Sequence, residues 1–464
     1  MSKRIEELLF PSRFDWGIYP QVEKFLNDQI AIFLEHNSVA SKLSARMLKE
    51  TSTFFFDWVD HIILPEKKVT QNDLETLGFQ AVYGIDALQG NQVYIFPGAT
   101  YFPVILSNNS ATEIALKPER LDHFIQMTGE HLKIEGTTLS SYRKAIVSSQ
   151  GDYVLSVVER RGYNGFIVPE EDKDAEEYNK AMEAFCCRQR LFEVDREGIK
   201  ATLELIKRFL KNLKKERVTD AFFRSERLYW ERQNRAGYIQ KGRQNRLGLG
   251  YGNHDHHTYR NSRENFSQVI EILETLGFVS REQFFAGERA GWGAQVLEHP
   301  VCSFTVFADV DISKEEKEQD FAHQKMTDRD ELKTVGLWVA LHGESMLGAG
   351  LHHLATRLAF EKVNSDLEIS RVEMLRPFSY FPFLKQAFSE VERREVRKKR
   401  LDRLLNKKQI TMEQYKKFLE GGAISSHLEN IQRNQGFKGF NQDSVSAIIT
   451  ATDPRATTAG VVAA

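Results

Sequence analysis

The sequence has few of the residues that mark secreted or nucleic-acid-binding proteins. Only three of its 464 residues are cysteines (Cys186, Cys187 and Cys302), too few for a disulfide framework. Cys186 and Cys187 are adjacent within a helical pattern and fit no zinc-ligand spacing. The formal net charge of -2 lacks the basic excess that nucleic-acid binders carry. We therefore expect a reduced, cytoplasmic protein with no nucleic-acid partner.

Long apolar runs are also missing. No stretch approaches the roughly 18 apolar residues that a transmembrane helix needs. Residues 1–10 are charged and lack the apolar core of a secretory signal. What is present is an ordinary globular composition, 41% hydrophobic and 28% charged, in a chain long enough for several domains. We therefore expect no membrane association.

A repeated hexapeptide divides the chain into two related halves. An Asp-His pair at 60–61 is followed by Leu-Glu-Thr-Leu-Gly-Phe at 74–79. A second Asp-His pair at 255–256 is followed by the same six residues at 273–278. Both copies have the pattern of a strand, an amphipathic helix ending at glycine, and another strand. Such repetition predicts a duplicated module of βα type.

Periodicity predicts an α+β fold, with duplicated βαβββ modules, curved mixed sheets and flanking helices. Strands are expected near residues 54–64, 335–342, 351–358 and 425–433. The domain prediction is N-terminal helices at 1–50, a first βαβββ-like module at 51–165, a helical connector at 166–245, a second module at 246–450 with a helical insertion at 385–420, and a flexible tail at 451–464. Residues 234–252 are expected to form a linker at the end of the connector.

Three residues in the second half suggest a metal site. His256, His353 and Glu429 are each followed, four residues later, by an arginine. Side chains at i and i+4 of a strand point to the same face, so each pair would face one cavity. Two histidines and one carboxylate are the donor set of non-haem Fe(II) oxygenases. We therefore predict these three residues as metal ligands. The residues alone leave alternatives open, namely His254 or His257 for the first ligand and His352 for the second.

The arginines that follow these residues suggest an acidic substrate. These arginines are Arg260, Arg357 and Arg433. A guanidinium group binds a carboxylate through two parallel hydrogen bonds, so each of them could hold an acidic group. His254, His352 and His427 are candidates for outer or surface positions. Asp255 is predicted to point away from His256, because neighbouring residues of a strand face opposite sides.

The paired modules and their His, His, Glu order resemble the vicinal oxygen chelate superfamily. Within it, the three segments that end in arginine resemble those of the 2-oxoadipate dioxygenase/decarboxylase (hydroxyglutarate synthase) family. This resemblance implies that His256, His353 and Glu429 hold Fe(II) and that Arg260 binds the substrate carboxylate. In the first module, Leu64 and Pro65 stand where the arginine would be, so we expect no metal there, although His123 keeps a second site open.

A second resemblance concerns the C-terminal segment. Residues 429–441 are similar to the end of 4-hydroxyphenylpyruvate dioxygenase, which implies that Phe437 and Phe440 line the substrate pocket. The two resemblances together imply an iron dioxygenase that oxidatively decarboxylates a 2-oxo acid with O₂. Alternatives are an extradiol-type dioxygenase, a metal-dependent isomerase, or a non-catalytic small-ligand-binding protein. A homodimer is also possible from the sequence.

Overall fold

Two mixed β-sheets organise the structure, a computed structural model that describes residues 3–4, 16–83, 85, 90–129, 131–170, 173–288, 290–440 and 453–455. The first sheet contains β1 (Lys3–Arg4), β2 (Val59–Pro65), β3 (Gln80–Tyr83), β4 (Asn91–Ile95), β5 (Val104–Ser107), β6 (Thr112–Leu116), β7 (Ile134–Glu135), β8 (Tyr142–Gln150) and β9 (Tyr153–Arg160). The second half contains β10 (His254–Arg260), β11 (Val279–Phe285), β12 (Gly293–Glu298), β13 (Thr305–Val310), β14 (His353–Arg357), β15 (Ser379–Phe381), β16 (Leu384–Phe388), β17 (Arg393–Arg394), β18 (Ala423–Ile424) and β19 (His427–Arg433).

The two sheets have the same strand order. The first runs β3-β4-β5-β2-β6-β9-β8-β7, with β1 added at the β3 edge, and the second runs β11-β12-β13-β10-β14-β19-β16-β15. Strands β17 and β18 form a separate pair. The predicted α+β fold with duplicated modules is confirmed. Each module contains two βαβββ units rather than the one predicted, and the units join through the antiparallel pairs β2–β6 and β10–β14.

The helices flank these sheets and fill the connector. They are α1 (Pro20–His36), α2 (Ser38–Arg46), α3 (Gln71–Leu77), α4 (Leu121–Thr128), α5 (Ala175–Cys187), α6 (Asp195–Phe209), α7 (Lys215–Glu231), α8 (Arg235–Asn245), α9 (Phe266–Thr275), α10 (Lys314–Lys317), α11 (Thr334–His342), α12 (Phe360–Glu368), α13 (Lys398–Asn406) and α14 (Met412–Gly421). Short turns of other helix types span Met47–Thr51, Phe55–Trp58 and Ser345–Ala349. None of the helices in the described ranges is long and apolar enough to cross a membrane.

The repeated hexapeptide has the same structural role in both modules. Its first leucine, Leu74 or Leu273, is fully buried. Its glycine, Gly78 or Gly277, follows the helix with φ of 101° or 100°, a left-handed conformation that glycine adopts without strain. The phenylalanine that follows is also buried in each copy. The hexapeptide therefore ends the helix and returns the chain to the sheet.

Two sequence predictions in the second half are wrong. Residues 334–342 form α11, not a strand, because a continuous apolar run has no periodicity that separates a buried helix from a strand. Residues 235–245 form α8, where a linker was predicted. Its buried side chains include Gln240, Arg243 and Gln244, which hydrogen-bond to neighbours, so the helix lacks an apolar stripe in sequence.

The predicted boundaries need smaller corrections. The insertion at 385–420 begins as strand β16, and only α13 and α14 form the expected helical hairpin. The strand predicted at 54–64 starts as a short 3₁₀ turn before β2. The predicted tail at 451–464 lies outside the described residues except for positions 453–455.

Candidate metal centre

His256, His353 and Glu429, called the triad below, come together on three adjacent strands of the second sheet. Ala355 of β14 is the register partner of His256 on β10 and of Glu429 on β19. Glu429 Oε2 lies 3.2 Å from His256 Nε2 and 2.9 Å from His353 Nε2. All three side chains are buried, and their donor atoms fit within the span of one metal ion. The structure therefore brings the three predicted ligands to a single point.

Neighbouring side chains fix the orientation of the triad. Gln386 donates a hydrogen bond of 2.7 Å from Nε2 to Glu429 Oε1, which leaves Oε2 facing the histidines. Asp255 Oδ2 lies 3.1 Å from His256 Nδ1, so Nε2 is the nitrogen that faces Glu429. A carboxylate behind the histidine is the usual support for a metal ligand. Glu429 and His256 are therefore already oriented, and the buried donor set fits a divalent metal ion.

The predicted orientation of Asp255 is wrong. The register of β10 against β14 shifts between His254 and His256, so Asp255 is the extra residue of a β-bulge. A bulge breaks the alternation of side chains along a strand, which allows Asp255 to reach the ring that follows it. The first module has the same irregularity, where Asp60 Oδ2 lies 2.8 Å from His61 Nδ1.

In the triad, the carboxylate of Glu429 lies between two imidazole groups, and these groups shift one another's pKa values. Burial opposes the ionised form of Glu429, but His256 and His353 outweigh it and lower its pKa. Burial also opposes charge on His256, yet Glu429 and Asp255 raise its pKa to about 9. For His353 burial dominates and lowers the pKa. A metal cation bound between these side chains would take the place of the proton that Glu429 and Asp255 stabilise on His256.

The histidines next to the triad are not at the surface. His427 is fully buried, neither of its ring nitrogens has a hydrogen-bond partner among the described residues, and its ring stacks on that of His353 at 5.0 Å. His352 is buried and its Nδ1 lies 3.0 Å from the carbonyl oxygen of Ser425. Together with His353 these two could also surround an ion, but that set lacks a carboxylate. His257 instead contacts Phe223 of α7.

The three predicted arginines have different environments. Arg260 is buried, and its Nε and Nη1 have no hydrogen-bond partner among the described residues. Its guanidinium lies 5.6 Å from the Trp338 ring. Arg357 and Arg433 instead both donate from Nε to Asp255 Oδ1 at 3.1 Å. Of the three, Arg260 is therefore the one whose buried donor atoms lack a hydrogen-bond partner among the described residues.

The two predicted phenylalanines lie at different distances from the triad. Phe440 packs against Phe307 at 5.3 Å between ring centroids, and Phe307 packs against His256 at 4.7 Å. Phe437 instead contacts Phe383, at 4.7 Å between ring centroids. That Phe437 and Phe440 line a substrate pocket stays a prediction, as does substrate binding by the arginines.

Sequence reasoning missed Gln386 and Asp309 near the triad. Gln386 is on β16, inside a segment that was predicted to be helical, so its side chain could not be assigned to the sheet interior. Asp309 on β13 is buried, and burial raises its pKa to about 8 although Arg260 lowers it. The sequence offered a signal for Asp309, because residues 304–310 alternate as a strand does and Asp309 shares a face with Phe307.

The first module has different residues at the positions of the triad. The same register relations place His61, Glu113 and Ser156 there. Ser156 Oγ lies 2.5 Å from Glu113 Oε1, and Lys144 Nζ lies 2.6 Å from the same oxygen. The ammonium group of Lys144 therefore provides the positive charge beside Glu113.

Comparison with known proteins identifies no family. No family model and no curated protein matches the chain. Solved structures with some likeness include a 4-hydroxymandelate synthase variant from Streptomyces coelicolor (10% identity over 86% of this chain and 98% of that chain, TM-score 0.28). Another is a protein assigned to the glyoxalase superfamily from Ralstonia eutropha (11% identity over 56% of this chain and 96% of that chain, TM-score 0.32). A third is methylmalonyl-CoA epimerase from Mycobacterium tuberculosis (10% identity over 39% of this chain and 89% of that chain, TM-score 0.23). Likeness at this level carries no argument about activity.

Proposed function

We propose that this protein is an Fe(II)-dependent dioxygenase that oxidatively decarboxylates a 2-oxo acid, with the triad as its metal ligands. The observation that carries the proposal is the convergence of His256, His353 and Glu429. A buried carboxylate oxygen within 3.2 Å of two imidazole nitrogens, from three separate strands, supports a metal site with two histidines and one carboxylate as ligands. Such a ligand set would leave positions on the metal open for substrate and O₂.

The residues around the triad support the binding of an acidic substrate. Fe(II), when bound, would supply the O₂ chemistry that no amino-acid side chain provides. Arg260 would bind the distal carboxylate, because a buried guanidinium with unpartnered donors gains a charge-assisted pair when an anion arrives. Phe307 and Phe440 would exclude water from the same space.

The test is O₂ uptake by the iron-loaded protein with a panel of 2-oxo acids. We expect uptake that matches CO₂ release in amount, at least for 2-oxo acids with a second carboxylate. Full iron loading with no uptake for any 2-oxo acid would contradict the proposal. Turnover without O₂ in the presence of Ni(II), Co(II) or Zn(II) would instead indicate an isomerase.

A further inference from the structure

A second charged site lies where the two modules meet. A cavity of about 310 Å³, called the intermodule cavity below, is lined by residues from both halves of the chain. Eight lysine and arginine side chains and six carboxylates line it. The described lining includes neither histidine of the triad nor Glu429. Asp255 and Phe307 line the cavity and also contact His256, so it adjoins the candidate metal centre without containing its ligands.

Most of these charges are already paired, in an arrangement that is duplicated. In the first module, Asp60 accepts hydrogen bonds of 2.8 Å from Nε and Nη2 of Arg160. In the second module, Asp255 accepts from Arg433 and from Arg357. Arg160 and Arg433 have equivalent places near the ends of β9 and β19. Each also donates from Nη1 to two carbonyl oxygens of the loop that follows.

The two modules differ at one position of this charge arrangement, where the first module has a lysine without a paired carboxylate among the described residues. Lys117 in the first module corresponds to Arg357 in the second. Each lies two residues after the equivalent alanine, Ala115 or Ala355, which pairs with Ser156 or Glu429. Arg357 reaches Asp255, whereas the amine of Lys117 has no hydrogen-bond or ion-pair partner among the described residues. Its charge therefore lacks a directly paired carboxylate among the described residues, although Asp60 lies near enough to favour it.

A second cation in the lining is also short of partners. Arg227 of α7 is 3% exposed, and its Nε and Nη1 have no hydrogen-bond partner in the described structure. Its nearest carboxylate, Glu119, lies 3.9 Å away and is shared with Lys241 at 3.5 Å. Leaving guanidinium donors both buried and unpaired is unfavourable unless a ligand satisfies them.

We propose that the intermodule cavity binds a small dianion, held by Lys117 and Arg227. The chemistry required is two anionic oxygens or oxyanion groups, as in a dicarboxylate or a phosphomonoester. Burial lowers the pKa of Lys117 and of Arg227. An anion bound in the cavity would raise both pKa values again. A cavity of about 310 Å³ accommodates a molecule of this size.

The test is isothermal titration calorimetry of the full chain with succinate and, separately, with inorganic phosphate. We expect one equivalent of at least one probe to bind. Lys117→Met and Arg227→Met should each weaken binding at least about 10-fold, since each removes hydrogen bonds to a charged group. Arg227→Lys, which keeps the charge in case the methionine variant misfolds, should weaken it less. Exposed Lys24, paired with Asp28, provides the control Lys24→Met, which should bind like the wild type.

The two probes and one further variant separate the outcomes. Succinate binding alone indicates a dicarboxylate ligand, and phosphate binding indicates a phosphomonoester; either supports the proposal. Glu429→Gln should bind the probe as the wild type does, because Glu429 does not line the cavity. Binding of neither probe, binding that Lys117 and Arg227 do not affect, or binding that is lost with Glu429 would overturn it.

Discussion

Glu429 and Ser156 occupy equivalent positions in the two sheets. Glu429 is the register partner of Ala355 on the neighbouring parallel strand, and Ser156 is the partner of Ala115 in the same way. The backbone framework of the candidate metal centre is therefore present twice. At this position the second module has a carboxylate, Glu429 on β19, and the first has a serine.

This relationship gives a matched pair of variants. Glu429→Gln removes the anionic donor and should weaken Fe(II) binding by more than about 100-fold, since changes outside the ligand set already weaken metal binding by about 10–100-fold. Ser156→Ala at the equivalent position should leave Fe(II) binding unchanged. Anaerobic Fe(II) titration of the wild type and both variants measures this. Equal affinities in all three would show that the triad is not the metal site.

The two Asp-His pairs provide a second matched comparison. Asp255→Ala removes the support of His256 and should weaken Fe(II) binding by about 10–100-fold. Asp60→Ala removes the same contact to His61 and similarly leaves an arginine unpaired, so it should lower stability without changing iron affinity. The measurements are Fe(II) titration and thermal unfolding of each variant. An equal loss of iron affinity in both would mean that the effect of Asp255 is only structural.

The sequence was sufficient for the parts of this structure that depend on local patterns. The hexapeptide repeat predicted the duplicated module, and the common spacing to arginine selected, from several neighbours, the two histidines that lie against Glu429. The sequence was insufficient where the local structure depends on contacts between residues that are far apart in the chain. Asp255 reaches His256 through a β-bulge, which depends on the partner strand rather than on the residues of β10. Helix α8 was missed because its buried face is polar and depends on hydrogen bonds to distant residues.

The lysine in the first module should have a stability role with a defined pH dependence. Lys144→Met leaves Glu113 largely buried without its cation, and should lower the free energy of unfolding by about 3 kcal/mol near neutral pH. Burial raises the pKa of Glu113, but Lys144 and other partners outweigh it and the pKa is lowered. The stability from this pair is therefore present above the unfolded pKa of glutamate, and is lost as pH falls through the folded pKa.

The stability difference between wild type and Lys144→Met should accordingly shrink as the pH falls below about 4, where Glu113 is protonated in both the variant and the unfolded chain. Urea unfolding across this range measures it. Lys24→Met, in an exposed pair with Asp28, is the control and should change stability by less than about 1 kcal/mol at any pH. A difference for Lys144→Met that did not vary with pH would indicate lost packing rather than a lost ion pair.

Arg260 provides the test of how the substrate is held. Arg260→Gln removes the buried guanidinium and should raise the KM for a dicarboxylic 2-oxo acid by about 10–100-fold, the loss expected for hydrogen bonds to a charged group. Fe(II) affinity should be nearly unchanged, because Arg260 is not a ligand. A 2-oxo acid without a second carboxylate should be much less affected, since it has no group for the guanidinium to bind. If KM rises equally for both substrates, Arg260 shapes the site without recognising the distal carboxylate.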